Sequence, residues 1–266
     1  MIHVLGVDIG SAATKAVAMD TEGRMIASVA VQSGTGTRGV AKAMETLYGS
    51  EALIRQDRVI TVATGYGRMK YADADFQMSE ITCHARGVHK LVPGARTIID
   101  IGGQDSKAME IDEHAAIAQF VMNDKCAAGT GRFLEVMARI MEMDISLLGA
   151  VDVQAEEIAA ISNTCTVFAE SEVISRLSEG EKIPNIVAGI HQSVAKRVAG
   201  LAMRVGILEK VVLTGGVAHN SGIIRALERE LGVKLTIPEH PQITGALGAA
   251  LLGLEQYRRK SMTAAV

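Results

Sequence analysis

The sequence has no tryptophan, and its only other aromatics are four Tyr and four Phe in 266 residues. Single-stranded nucleic acid stacks on aromatic faces, so this composition argues against that ligand. A formal net charge of −3, with basic residues scattered along the chain, argues equally against a duplex-binding surface. Three cysteines are too few and an odd number for a disulfide scaffold, and they fit a reducing cytoplasm. Nowhere do about 18 apolar residues run without interruption, so no membrane span is expected. His3–Ile9 reads as a strand from the start, without signal-peptide anatomy, and the expectation is a soluble cytoplasmic protein. Neither G-x-x-x-x-G-K-[ST] nor H-E-x-x-H occurs, and the seven histidines are scattered.

What is present is an ordinary globular balance, 48% hydrophobic and 21% charged, in a length sufficient for two compact lobes. Val4 to Ile9 predicts a buried strand, followed by the turn Gly10-Ser11-Ala12-Ala13-Thr14-Lys15 and a second strand, Ala16 to Met19. Small residues in that turn let backbone N–H groups approach an oxyanion, Lys15 adds a point charge, and Asp8 is placed to hold Mg²⁺ through its water shell. Glu22-Gly23 predicts a hairpin into Arg24–Val31, and this β-β-β opening counts against a dinucleotide or P-loop fold. Gly39–Tyr48 and Ser79–Leu91 have helical spacing; Arg58–Ala63 reads as a strand, ahead of the glycine-rich turn Thr64-Gly65-Tyr66-Gly67-Arg68. Cys83 and His84 in the second helix could be read as a metal site, but adjacent helical residues point different ways, and an ordinary packed or partner-facing role is expected.

At Thr97 the opening repeats: an apolar strand to Asp100, the turn Ile101-Gly102-Gly103-Gln104-Asp105, and a second strand, Ala108 to Ile111. Gln104 is placed to orient an attacking water. A further strand, Lys210 to Leu213, runs into Thr214-Gly215-Gly216-Val217-Ala218, a turn able to lie flat against adenine and ribose. Between these stand two cysteines. Cys126 precedes Ala127-Ala128-Gly129-Thr130-Gly131 and an amphipathic helix carrying Leu134, Met137 and Met141; Cys165 precedes a helix carrying Val173, Ile174 and Leu177. Thiolates at two helix mouths are stabilised by unpaired N–H groups and the helix dipole, and two such thiols suit a soft metal centre. Free cysteines are commonly just small buried apolar residues; as cluster ligands these two are half of the four thiolates that an iron–sulfur cluster usually takes, and a two-fold dimer would supply all four.

The motifs Asp8-Ile9-Gly10-Ser11, Asp100-Ile101-Gly102-Gly103 and Leu213-Thr214-Gly215-Gly216 resemble the phosphate-1, phosphate-2 and adenosine motifs of actin/hexokinase/Hsp70-type ATPases. With Asn123-Asp124-Lys125-Cys126-Ala127-Ala128-Gly129-Thr130-Gly131-Arg132-Phe133 and Cys165-Thr166-Val167-Phe168-Ala169-Glu170 added, the chain resembles the ATP-dependent activators of 2-hydroxyacyl-CoA dehydratases, in the BadF/BadG/BcrA/BcrD ATPase family. The likeness runs from about Val4 to Tyr257; Ala12 and Ala13 replace a hydroxyl sometimes found in the first turn.

The resemblance implies an α/β, two-lobed ATPase fold with duplicated ribonuclease H-like lobes. The expected division is 1–93, 94–252 with the phosphate-2 loop, cluster helices and adenosine motif, and 253–266 returning to the first lobe. It implies Mg-ATP in a cleft between the lobes, with Asp8, Asp100 and Gln104 catalytic. Gly10 to Lys15, Gly102, Gly103, Gln104, Gly215, Gly216, Val217 and Gln242 would bind nucleotide. It further implies a homodimer with one oxygen-sensitive [4Fe–4S] cluster on Cys126 and Cys165 of both chains. An electron would pass from ferredoxin or flavodoxin to the dehydratase with ATP hydrolysis. The nucleotide motifs alone fit a small-molecule kinase of the same fold equally well, and a filament protein is a third reading; neither uses cysteines at helix mouths.

Overall fold

The computed structural model describes residues 2–50 and 58–263. Ten strands form two five-stranded sheets, and eight α-helices accompany them among the described residues. Close contacts divide the chain into one unit of Met1–Ala95, Ile111–Ile117 and Pro238–Val266, and another of Arg96–Glu110 and Ala118–Ile237.

In the first unit, β1 (Ile2–Ile9), β2 (Thr14–Asp20), β3 (Met25–Val31), β4 (Arg58–Thr64) and β5 (Phe76–Gln77) are ordered β3-β2-β1-β4-β5. β1 is antiparallel to β2 and parallel to β4. Successive side chains leave opposite faces of a strand, and both faces here are covered. Val4, Val17, Met19 and Val62 pack on Ala246, Ala250 and Leu254 of α8 (Thr244–Thr263). Leu5, Ala16 and Ala18 pack on Ala43 and Leu47 of α1 (Gly39–Ser50). This two-sided burial explains the unbroken apolar run that opens the chain. α8 lies so close to β1 and to α2 (Glu80–Leu91) that a Cβ on Gly6 would stand 1.9 Å from the Ala246 carbonyl oxygen, and one on Gly248 1.7 Å from that of Cys83. The sequence-based division began the return to the first lobe at residue 253; in the structure Pro238 onward, including all of α8, groups with the first unit.

The second unit repeats the plan. β6 (Thr97–Ile101), β7 (Ser106–Ile111), β8 (Ile117–Asn123), β9 (Val211–Thr214) and β10 (Leu235–Thr236) are ordered β8-β7-β6-β9-β10, with β6 antiparallel to β7 and parallel to β9. The core joins Ile99 and Ile101 to Phe133, Leu134 and Met137 of α3 (Gly131–Ile140), Ala169 and Val173 of α5 (Thr166–Ser178), and Ile223 and Leu227 of α7 (Ser221–Leu231). Its axis is α6 (Ile183–Ala202), started by Pro184 and buried along most of its length; a proline costs nothing in the first turn, where its missing N–H has no helical partner. The four-residue α4 (Leu148–Val151) precedes a short 3₁₀ turn, Asp152–Gln154. None of the described helices is long and apolar enough to cross a membrane.

Candidate functional site

The duplication is a matter of register as well as order. Asp8 pairs with Lys15 across the first hairpin, and Asp100 with Lys107 across the second; each hairpin turns through four residues, 10–13 and 102–105. In the parallel neighbours, Asp8 stands beside Thr64 and Asp100 beside Thr214. Gly65 and Gly215 follow with φ of +82° and +88°, where glycine is at no disadvantage. A Cβ on Gly65 would meet Asp8 Oδ1 at 2.3 Å, and one on Gly215 the Ile101 carbonyl oxygen at 2.2 Å. Thr64-Gly65 is therefore the first unit's counterpart of Thr214-Gly215. The sequence carries the signal, a Thr-Gly pair at each strand end, but only the paired register makes it a repeat.

In the first turn Gly10 donates to the Ala13 carbonyl at 3.0 Å and accepts from Thr35, while among the described residues no carbonyl accepts from the N–H groups of Ser11 and Ala12. Thr14 is buried with its hydroxyl on the Ser33 carbonyl, so it supports the turn from beneath. Lys15 Nζ lies 3.2 Å from Asp8 Oδ2, and Asp8 Oδ1 is buried without a hydrogen-bond partner. An orphaned carboxylate oxygen costs free energy unless something fills its place. Its charge and its hard oxygen fit hydrated Mg²⁺. Gly245, at the start of α8, has no side chain to obstruct this carboxylate: a Cβ there would stand 3.1 Å from Asp8 Oδ2.

The second turn is built alike and braced differently. Gly102 donates to the Asp105 carbonyl at 2.9 Å, and Gln104 is exposed. Asp100 accepts from Thr214 Oγ1 at 2.8 Å on Oδ1, and its Oδ2 lies 3.4 Å from Lys107 Nζ, which also bonds Asp105 at 2.7 Å. Lys107, fully buried, is a site residue that the sequence reading did not single out; its place seven after the aspartate, as Lys15 is after Asp8, was the available signal. Gly215, Gly216 and Val217 lie at the end of β9 in the second unit, and Gln242 is half-buried in the turn before α8 in the first.

The cysteines separate. Cys83 is buried in the first unit's core, where desolvation outweighs the Thr64 hydrogen bond and pushes its thiol up to about 12. His84 shares a 3.0 Å hydrogen bond with Thr244. Both are packed residues, as the sequence suggested. Cys126 and Cys165 are partly exposed. Cys165 is the N-cap residue of α5, at the helix mouth as expected. Cys126 is not. It lies four residues before Thr130, the N-cap of α3, in a loop held by Asn123 Nδ2 on the carbonyls of Cys126 and Ala128. The first N–H groups of α3 are also engaged: Gly131 donates to the Gly102 carbonyl at 2.9 Å and Arg132 to that of Gly103 at 2.8 Å. The expectation of a thiol at two helix mouths per chain is corrected to one, because α3 starts only at Gly131 and spends its first donors on the turn 102–105. A Cβ on Gly131 would come within 3.2 Å of the Gly102 oxygen and 3.5 Å of Val217, so this glycine lets α3 approach both turns. Arg132 points its side chain outward to Glu135.

Among the described residues no three His, Cys, Asp or Glu side chains gather into a metal site. Two accessible thiols in one chain fit a soft metal group whose remaining ligands come from another molecule.

Comparison with known proteins agrees with this geometry. The activator of the 2-hydroxyisocaproyl-CoA dehydratase from Clostridium difficile, solved with bound ADPNP, superposes with a TM-score of 0.95 at 53% identity, covering 98% of this chain and 97% of that one. The activator of lactoyl-CoA dehydratase from Anaerotignum propionicum is 52% identical over 97% of this chain and its own full length. A ROK family glucokinase from Streptomyces griseus, at 15% identity and TM-score 0.55 over 94% of this chain and 98% of its own, shares the fold alone. The two-lobed ATPase fold expected from the sequence is thus the one observed. Residues 5–253 match the family model, and the chain belongs to the BadF/BadG/BcrA/BcrD ATPase family.

Proposed function

We propose that this chain is an ATP-hydrolysing, iron–sulfur electron-transfer activator of a 2-hydroxyacyl-CoA dehydratase, working in the cytoplasm as a homodimer. The observation that carries the reading is the pair of hydrogen bonds from Gly131 and Arg132 to the carbonyls of Gly102 and Gly103. Those bonds join a phosphate-binding turn to the start of α3, five residues after Cys126, and a kinase of this fold has no use for accessible thiols at Cys126 and Cys165.

On this reading Asp8 holds Mg²⁺ through water, and Lys15 with the free N–H groups of Ser11 and Ala12 meets phosphate. Gly102, Gly103 and Gln104 face the transferring phosphoryl group, Gln104 orienting water. Asp100 keeps that turn in shape. Gly215, Gly216, Val217 and Gln242 contact the nucleoside. Cys126 and Cys165 of two chains hold one [4Fe–4S] cluster. When bound, the cluster would supply one-electron chemistry between ferredoxin or flavodoxin and the dehydratase. Val167, Phe168 and Ile174, exposed apolar residues on the helix that follows Cys165, suit a surface covered by the second chain.

A change of phosphate state at the second turn shifts the carbonyls of Gly102 and Gly103, and α3 is tied to them. One open helix mouth per chain, at Cys165, makes two per dimer. At ~1 kcal/mol each they stabilise an added negative charge by ~2 kcal/mol, on the order of 85 mV for one electron.

The test is iron and acid-labile sulfide analysis after anaerobic purification, with light scattering. The expected result is about four irons per two chains. Replacing either Cys126 or Cys165 with Ala removes two ligands in four by symmetry and should lose nearly all the iron, while Cys83→Ala keeps it. A fully loaded monomer, or iron retained in Cys165→Ala, overturns the proposal.

A further inference from the structure

The interior of α6 carries an imidazole with no part in the chemistry above. His191 is wholly buried; its Nδ1 lies 2.8 Å from Asp152 Oδ2 and its Nε2 3.2 Å from Asn220 Nδ2. The hydrogens of this contact follow from Asn220. As N-cap of α7, its Oδ1 accepts from the N–H groups of Gly222 at 2.9 Å and Ile223 at 3.1 Å. Turning the amide over would set its NH₂ against those two donors, so Nδ2 must face His191 and donate to Nε2. Nδ1 then carries the ring proton and donates it to Asp152. The imidazole is neutral and in a single tautomer.

Asp152 is anchored in turn. Burial pulls its carboxyl up, but the hydrogen bonds from His191 and Arg225, with the Arg225 charge, hold it below the usual carboxylate range. Arg225 bonds Asp152 Oδ1 and the Gly149 carbonyl. The whole assembly fits closely: a Cβ on Gly222 would stand 2.2 Å from the His191 ring.

At its other end the chain of contacts reaches the turn after β9. The Asn220 N–H closes that turn on the Val217 carbonyl at 2.9 Å, and Ala218 donates to Gly215. We propose that His191 is a positioning residue for the turn Gly215–His219, setting through Asn220 how tightly the adenosine part of the nucleotide is held. The inference rests on the adenosine role proposed above for that turn. His191 acts as a rigid spacer with an acceptor on one side and a donor on the other, joining an immobile carboxylate on one element to the N-cap amide that ends the turn.

A leucine at this position fills similar space but leaves the Asn220 amide without its acceptor. A glutamine restores one acceptor and one donor. His191→Leu should raise the KM for ATP in hydrolysis about tenfold, a loss of about 1.4 kcal/mol in binding. Its kcat should change little, and so should inhibition by inorganic tripolyphosphate, which has no nucleoside. His191→Gln should return KM to within about threefold of the parent. Long-range ¹H–¹⁵N correlation spectra of the unaltered protein should show Nδ1 protonated and Nε2 bare. An Nε2–H tautomer or an imidazolium near neutral pH overturns the proposal even if His191→Leu fails to fold. So does an unchanged KM in a folded His191→Leu, or equal weakening of ATP and tripolyphosphate. Gly216→Val, which crowds the exposed centre of the turn, separates the two layers. If it leaves KM unchanged, the adenosine assignment itself fails. If it raises KM while His191→Leu does not, only the positioning role is lost.

Discussion

Asp8 and Asp100 stand at the same point of two hairpins of the same length, each paired in register with a lysine. Around Asp100 the pairing is closed: Thr214 serves one oxygen, Lys107 the other, and the Lys107 side chain is only 2% exposed. Around Asp8 it is open. Lys15 is 20% exposed, Thr64 gives its hydroxyl to the Met78 carbonyl instead, and Oδ1 has no partner. One motif has thus been put to two uses. In the first unit one carboxylate oxygen keeps its bonding capacity; in the second both oxygens are engaged beside a turn that α3 touches. Duplication of a sequence pattern therefore does not duplicate a pattern of hydrogen bonds. What separates the copies is which neighbour's hydroxyl turns toward the acid.

The largest effect should come from breaking the closed copy. Asp100→Ala leaves a buried lysine with Asp105 as its remaining carboxylate, and loss of one partner in a buried charge cluster costs about 3 kcal/mol or more. Urea unfolding measures it, and a cost below about 1 kcal/mol would mean that Asp100 is not the brace described. Next is Asp8→Asn. Hydrolysis should fall roughly 100-fold, the scale of losing one preorganised electrostatic contact, while stability stays within about 1 kcal/mol of the parent. A variant that hydrolyses normally, or unfolds as Asp100→Ala does, erases the contrast. The smallest effect concerns the threonines. Thr214→Val removes a donor to a carboxylate and should cost about 1.5–3 kcal/mol, whereas Thr64→Val removes only neutral hydrogen bonds, to the Met78 carbonyl and the weak Cys83 thiol, worth together about 1 kcal/mol. Equal losses would show that the two sites are braced alike.

Much of this frame was legible from residue order. The β-β-β opening, the second Asp-Gly turn and the Gly-Gly turn after β9 rest on local patterns of apolar runs and glycine, and the structure places each as a strand or turn. The edge strand β8 was missed because exposed Gln119, Phe120 and Met122 interrupt the alternation that marks a half-buried strand. Lys107 looked like any lysine, since the sequence does not say that Asp100 and Asp105 will enclose it. Cys126 was read at a helix mouth because a small-residue stretch, Ala127 to Gly131, leads from it straight into an amphipathic helix pattern. There, Thr130 N–H and Oγ1 both bond the Ala127 carbonyl, a turn that holds the helix off until Gly131. The relay through His191 joins residues far apart in the chain, and no spacing rule reaches it.

The close seating of α8 on β1 bears on how the chain is made. The second unit's main core runs from Ile99 to Leu227, so every residue of it has been synthesised before Pro238 is added. The first unit cannot cover Val4, Val17 and Val62 until Ala246, Ala250 and Leu254 follow. Domains usually fold in the order they leave the ribosome. Here the strands of the first unit are made before the second unit and completed after it, with their apolar face in need of shelter until α8 has been translated.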